Sequence, residues 1–303
     1  MIQSPLNYTG GKFKLLPQLL PLFPKDIDTF VDLFCGGCNV GINVKADRHI
    51  YNDINRYLLC LYNTLKNNNK HIILETIYSI IEKYGLTLVS KYGYEYYGCE
   101  SSKGLASYNK NRFLRMREDF NTYKNKDYYY YMLFYVIIVY SFNNQIRFNK
   151  NGKFNLPVGK RDFNKKMESK LIGFIDNIQA QNSCFSCIDF ADFDILSLSD
   201  RDFVYIDPPY LITCATYNEQ GGWNKDKEQQ LLGVIDKLSN LNIRCALSNV
   251  LESKGKENTI LIEWLEKNIS RYNIHHLNYN YSNSSYHTKN RTDSSVEVLI
   301  TNY

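Results

Sequence analysis

Between Thr29 and Asp53 the chain sets two short apolar segments on either side of a glycine turn. Thr29-Phe-Val-Asp-Leu-Phe leads into Cys35-Gly36-Gly37-Cys38, and His49-Ile-Tyr-Asn-Asp53 follows. A strand, a glycine turn, a helix and a second strand ending in an acid open a Rossmann-like parallel sheet; the helix is expected from Val40. Val204-Tyr-Ile-Asp207 reads as another buried strand, stopped by two prolines. Leu231, Leu232, Val234, Ile235 and Leu238 recur at helical spacing within residues 225–238. A strand over 243–249, a helix over 260–267 and a last strand over 296–303 complete the pattern. The final strands are expected to form an antiparallel hairpin at a sheet edge. From Asn55 to Lys126 the signals are helical and mixed. The fold class is therefore α/β, a parallel core interrupted by a basic, mostly helical insertion.

At 303 residues the chain can bury one large core, or one core plus a smaller appended domain, and its 44% hydrophobic and 22% charged residues are ordinary for a globular protein. The longest apolar run, Tyr131 to Tyr140, is about half of what a membrane span needs. The N-terminus has no basic-then-apolar leader, so a cytoplasmic location and no membrane partner are expected. The eight cysteines are then expected to be reduced. Two pairs have CxxC spacing, Cys35 with Cys38 and Cys184 with Cys187, but 146 positions separate them. They read as small buried side chains rather than zinc ligands, and no metal is expected. Asn and Tyr are abundant without any repeat, and read as compositional bias.

Charge is unevenly distributed. Residues 91–170 hold 16 Lys and Arg against 7 Asp and Glu, whereas the rest of the chain holds 20 against 24. One basic region on a mildly acidic chain suits a polyanion, although charge alone would also fit a solvated surface.

Three motifs carry chemistry. Asp207-Pro208-Pro209-Tyr210 closes a buried strand at the end where open α/β sheets bind ligands. The prolines fix the backbone, so that the carboxylate and the next carbonyl point rigidly and can localise an amino group. Tyr210 offers a flat face for a planar ring. Phe34-Cys35-Gly36-Gly37, with Asp53 seventeen residues beyond Gly36, lets backbone approach a ligand while the acid holds ribose hydroxyls. It lacks GxGxxG, which favours an adenosine-bearing cofactor smaller than a dinucleotide. Near the N-terminus, Asn7-Tyr8-Thr9-Gly10-Gly11-Lys12 is not a phosphate loop; Tyr8 could stack on a purine and Lys12 could meet a carboxylate.

Together, in this order, these motifs resemble the Dam-like (D12 class, group alpha) adenine-specific DNA methyltransferases, which run xGGK, FxGxG, a target-recognition insert and DPPY. The likeness extends through Asn143-Asn-Gln-Ile-Arg147-Phe-Asn and Gly152-Lys-Phe-Asn-Leu-Pro157-Val-Gly-Lys160 to the C-terminal strands. It implies a class I fold dependent on S-adenosylmethionine. Residues 1–56 and 168–303 would be catalytic, and 57–167 would recognise DNA through a β-hairpin near 142–160. The resemblance places Tyr8, Lys12, Phe34, Gly36, Asp53 and Asp207 around the methyl donor, with Asp189 and Phe190 at its adenine. Asp207, Pro208, Pro209 and Tyr210 would hold the target base. Phe142, Asn143, Gln145, Arg147, Pro157 and Lys160 would contact DNA, with Arg147 reading a guanine in the major groove.

The resemblance implies methylation of the exocyclic amino group of a flipped-out adenine in double-stranded DNA, with GATC the first sequence to test. The setting would be restriction-modification or phage and host DNA marking, with a possible cognate endonuclease acting separately. Three departures stand out: Cys38 where a glycine or small residue is usual, Asn7 for a base-contacting Lys, and Gln145 for an apolar base contact. Methylation of cytosine's amino group, methylation of protein glutamine and a catalytically silent DNA binder are the alternatives.

Overall fold

The apolar segments form the strands expected of them. The computed structural model describes residues 1–213, 222–278 and 295–303, and these divide into two units: Lys12–Ile54 with Asn182–Tyr303, and Met1–Gly11 with Asn55–Gln181.

The first unit is built on one sheet of β1 (Thr29–Asp32), β2 (Arg48–Asn52), β3 (Ser183–Ser186), β4 (Phe203–Ile206), β5 (Arg244–Ser253), β6 (Lys256–Glu257), β7 (Asn273–Leu277) and β8 (Ser295–Thr301). The order is β3-β2-β1-β4-β5-β8-β7, with β6 beside β5. The first five strands are parallel, and β8 runs antiparallel to both β5 and β7. Both faces are covered, so the central strands are apolar throughout rather than alternating. Val31, Val204 and Ile206 pack with α8 (Lys225–Asn240) and α9 (Thr259–Lys267), while Phe30, Phe203 and Tyr205 pack with the short α1 (Leu16–Leu19). The expected edge hairpin is present as the β7–β8 pair.

No helix follows β1. The Val40 segment makes only a 3-10 turn, Gly41–Asn43. Cys38 takes a left-handed φ of 56°, and the Gly41 amide is caught by the buried Asp32 carboxylate at 3.2 Å. The chain then extends at Val44 and reaches β2 within four residues, leaving no length for a helix. Gly41 is obligatory here, since a Cβ would come within 2.4 Å of the Tyr51 ring. Cys35 and Cys38 are buried as expected, but Cys184, on the edge strand β3, and Cys187, just beyond it, are exposed.

The second unit is helical: α2 (Arg56–Asn67), α3 (Lys70–Tyr84), α4 (Val89–Tyr92), α5 (Ala106–Thr122), α6 (Tyr128–Tyr140) and α7 (Lys165–Ala180). The run that is too short to span a membrane is α6, whose residues from Tyr130 onward are all buried. A helix apolar on every side must be enclosed by others, and α2, α3 and α5 pack against it. No helix among the described residues is long and apolar enough to cross a membrane. The asparagines, which had no assigned part, cap helices. Asn55, Asn69, Asn164, Asn224 and Asn258 each accept an amide hydrogen bond in the first turn of α2, α3, α7, α8 and α9.

The expected β-hairpin is a looser structure than a strand pair. Two isolated antiparallel bridges, Ser141 to Val158 and Phe148 to Phe154, hold it. Gly159 passes so close to Ser141 that a Cβ would meet the Ser141 carbonyl at 2.3 Å. Tyr135 lies wholly inside α6's packing, and its hydroxyl has no hydrogen-bond partner among the described residues. Tyr135→Phe is therefore expected to stabilise the protein by about 1–3 kcal/mol in chemical denaturation; destabilisation would show that the hydroxyl is satisfied in solution.

Candidate active site

The chain leaves β1 toward β2 on one side, while β4 pairs on the other, so the strand order reverses between β1 and β4. Loops diverge at such a point and open a crevice at the carboxyl ends of the strands. Here the loop after β1 and the Asp207-Pro208-Pro209-Tyr210 turn emerge side by side, tied by the Leu33 amide on the Tyr205 carbonyl at 3.0 Å.

Asp207 is 18% exposed and Lys12 5%, and the Lys12 Nζ lies 2.9 Å from Asp207 Oδ1. The Tyr210 hydroxyl donates to the same Oδ1 at 3.1 Å and to Glu297 Oε1 at 3.2 Å. Lys12 also lies 3.8 Å from Glu297 and 4.8 Å from the centre of the Tyr210 ring. Both contacts on Asp207 use Oδ1, and neither uses Oδ2. Burial raises the Asp207 carboxyl above its ordinary value, and Lys12 and Tyr210 pull it partly back.

On the β1 side, Asp32 is 2% exposed. Burial and the charge of Asp207 push its carboxyl up to about 8, against the Gly41 hydrogen bond, with Asp53 adding to the rise. Asp53 Oδ2 accepts the Gly36 amide at 2.9 Å, which fixes the glycine turn. Asn52 joins the neighbouring loops: its Nδ2 donates to the carbonyls of Leu33 and Ile188, and its Oδ1 accepts from the Ile188 amide and the Ser186 hydroxyl. After β3, Phe34, Phe190 and Trp223 form an aromatic trio with ring centres 5.4–5.7 Å apart. Asp189 pairs with Lys227 at 2.8 Å and accepts the Ala191 amide. Burial would raise its carboxyl, but Lys227 and that amide hold it below the usual range.

This end of the sheet thus gathers Asp53 and Asp207 close enough to Asp32 to raise its carboxyl, beside an aromatic platform. An excess of carboxylates with planar rings fits a ligand carrying positive charge, ribose hydroxyls and a purine. Among the described residues, no group of three or more His, Cys, Asp or Glu could hold a metal ion.

The sequence profile of D12 class N6 adenine-specific DNA methyltransferases matches residues 8–283. The chain belongs to this family. It is 42% identical to the type II methyltransferase M.FokI of Planomicrobium okeanokoites and 40% identical to the modification methylase StsI of Streptococcus sanguinis, in each case over its whole length and 43% of theirs. The chain thus spans less than half the length of these curated relatives. It is also 26% identical to the DNA adenine methylase of Escherichia coli K12, over 80% of this chain and 79% of that one.

Of the family positions expected from the motifs, Lys12, Asp207 and Tyr210 meet directly, as do Gly36 with Asp53 and Phe34 with Phe190. Pro208 is buried beneath the turn, and Pro209 is exposed. Tyr8 lies in the helical unit, with its carbonyl on the Gly11 amide at 3.2 Å. Phe142, Asn143, Gln145, Arg147, Pro157 and Lys160 share the one hairpin, all exposed except the half-buried Arg147. Asn143 and Asn144 take left-handed φ values of 53° and 54°, a conformation Asn tolerates.

Asp32, Glu297 and Trp223 were missed from sequence. The available signal for the first two was an acid within an otherwise apolar strand. Nothing in the sequence tied Trp223 to Phe34.

Two outcomes follow from these charges. The Asp32 proton is held more tightly in the folded chain than at the ordinary 3.8, so its contribution to stability falls as pH rises from there toward about 8. Asp32→Asn keeps an acceptor for Gly41 and loses the titration. Its Tm is expected to gain on the parent's progressively from pH 5 to pH 8, and a pH-independent difference would place the Asp32 titration elsewhere. Lys12→Met withdraws the cation that favours the charged Asp207, so the acid limb of kcat should move to higher pH; an unmoved limb would mean that Asp207 does not govern it.

Proposed function

We propose that this chain methylates the exocyclic amino nitrogen of adenine in a short sequence of duplex DNA, with S-adenosylmethionine as donor. The observation that carries the reading is the Asp207 carboxylate, fixed through Oδ1 by Lys12 and Tyr210 at the mouth of the β1–β4 crevice. When bound, the donor supplies an activated sulfonium methyl. Phe34, Asp53, Asp189 and Phe190 are the residues that would hold it, with Tyr8 and Lys12 contributing.

The target nitrogen is buried in the duplex, so the base must flip out, at a cost of a few kcal/mol. Asp207 Oδ2 and the Pro208 carbonyl then accept the two amino hydrogens, which orients the nitrogen lone pair. Pro208 and Pro209 prevent the turn from relaxing, and Tyr210, its hydroxyl anchored on Asp207 and Glu297, presents its ring to the base. Positioning supplies most of the rate enhancement. Asp207 need not be a strong base, because the amino group becomes acidic only as its bond to carbon forms.

The helical unit holds the DNA. Its basic excess engages phosphates, Phe142 and Asn143 enter the opened duplex, Gln145, Pro157 and Lys160 contact it from the hairpin, and Arg147 reads a guanine. We further infer a restriction-modification setting in the cytoplasm, with any cognate endonuclease acting separately, since two similar proteins are named modification methylases. GATC is the sequence to test first, and methylation-sensitive sequencing of DNA from expressing cells reads the modified base and its context together.

Asp207→Ala is expected to lower methyl transfer by about 100-fold or more while leaving duplex affinity in gel shift largely unchanged. Lost binding with retained turnover would refute the assignment. Mass analysis of the nucleosides separates adenine from cytosine methylation.

A further inference from the structure

Arg147 is not loose on the hairpin. Its Nε donates to Asn155 Oδ1 at 2.7 Å, and its Nη2 donates to the Asn155 backbone carbonyl at 3.2 Å. The Asn155 amide in turn donates to the Arg147 carbonyl at 3.1 Å. A guanidinium has two forks of parallel N–H donors, a side-on fork made by Nε and Nη2 and an end-on fork made by Nη1 and Nη2. Asn155 offers a pair of oxygen acceptors to the side-on fork, much as a base edge would.

The residues on either side of Asn155 are held from the helix beneath. Asn121 on α5 takes both backbone groups of Phe154, donating to its carbonyl at 3.0 Å and accepting its amide at 2.8 Å. Arg117, also on α5, donates to the Leu156 carbonyl at 2.8 Å. Asn155 is thus clamped between two anchored neighbours. On the opposite arm Phe148 stacks on Tyr57 with ring centres 4.3 Å apart.

We propose that Asn155 is a positioning residue for sequence specificity: it occupies the side-on fork of Arg147 and leaves the end-on fork to read the base. This rests on Arg147 being the base-reading residue of the proposed function. An unclamped arginine can turn either fork, or a single donor, toward a base or a phosphate, so it tolerates a wrong base pair. Clamped, it presents one pair of donors in one direction, and only an edge with two acceptors in line, such as guanine O6 and N7, satisfies both.

The test is kcat/KM for methyl transfer on the modified duplex site and on single-base-pair variants of it. Arg147→Ala first identifies the pair that this residue reads, by loss of discrimination there alone. Asn155→Ala should lower discrimination at that same pair by about tenfold, with turnover on the preferred site and the salt dependence of binding close to the parent's. Asn155→Asp, which keeps an acceptor for Nε, should retain the discrimination. Asn155→Ser, too short to reach Nε, should behave as Asn155→Ala does and serves where the alanine variant folds poorly by thermal melt.

Equal changes in affinity at every sequence, with discrimination intact, would overturn the proposal and make Asn155 a latch that DNA displaces. If Asn155→Ala and Asn155→Asp both leave discrimination unchanged while Arg147→Ala abolishes it, the base-reading assignment stands and the role of Asn155 alone falls. If Arg147→Ala changes no base pair, both fall.

Discussion

A carboxylate at the end of a buried strand must be neutralised, paired or protonated, and most of the candidate active site follows from how Asp207 meets that demand. Lys12, 195 positions earlier in the chain, supplies the cation. Glu297, near the other terminus, balances Lys12 and fixes the Tyr210 hydroxyl. Two distant segments are thereby bound to one turn. Asp32, across the β1–β4 boundary, has no such cation among the described residues, and its carboxyl rises to about 8 instead. The two acids are therefore unequally paired: burial raises both carboxyls, but Lys12 and Tyr210 draw Asp207 partly back, whereas Asp32 is pushed up to about 8.

The helical unit solves a different problem, that of holding irregular backbone rigid. The hairpin from Ser141 to Gly159 has only two bridges of its own. Backbone hydrogen bonds across it, such as the Asn155 amide to the Arg147 carbonyl, are joined by side chains: Asn121 and Arg117 beneath, Asn155 against Arg147, and the stacked rings of Tyr57 and Phe148. Exposed residues such as Phe142, which is 48% exposed, can then be offered from a loop that does not yield. The asparagine-rich composition has a physical outlet in the same unit and beyond it, because short amide side chains satisfy helix N-termini and adopt left-handed turns at low cost.

Much of this was legible in the sequence because it depends on local patterns. Apolar segments of four to six residues, each ended by glycine, proline or an acid, mark the strands and the end at which their chemistry lies. The sharpest motif, Asp207-Pro208-Pro209-Tyr210, is rigid for reasons internal to itself. The helix expected from Val40 failed because its fate was settled by a tertiary contact, the Asp32 carboxylate on the Gly41 amide. Cys184 and Cys187 were expected to be buried, but lie on and just beyond the strand at the sheet's edge and are exposed.

The sequence by itself determined which residues could do chemistry and where along each strand they would lie, since strand ends, turns and helix periods are set by neighbours a few positions apart. Only the tertiary structure decided which acids lie together, which carboxyl burial pushes up and which fork of Arg147 Asn155 occupies. Those properties depend on burial and on charges brought close from opposite ends of the chain, and neither quantity is a function of spacing along it.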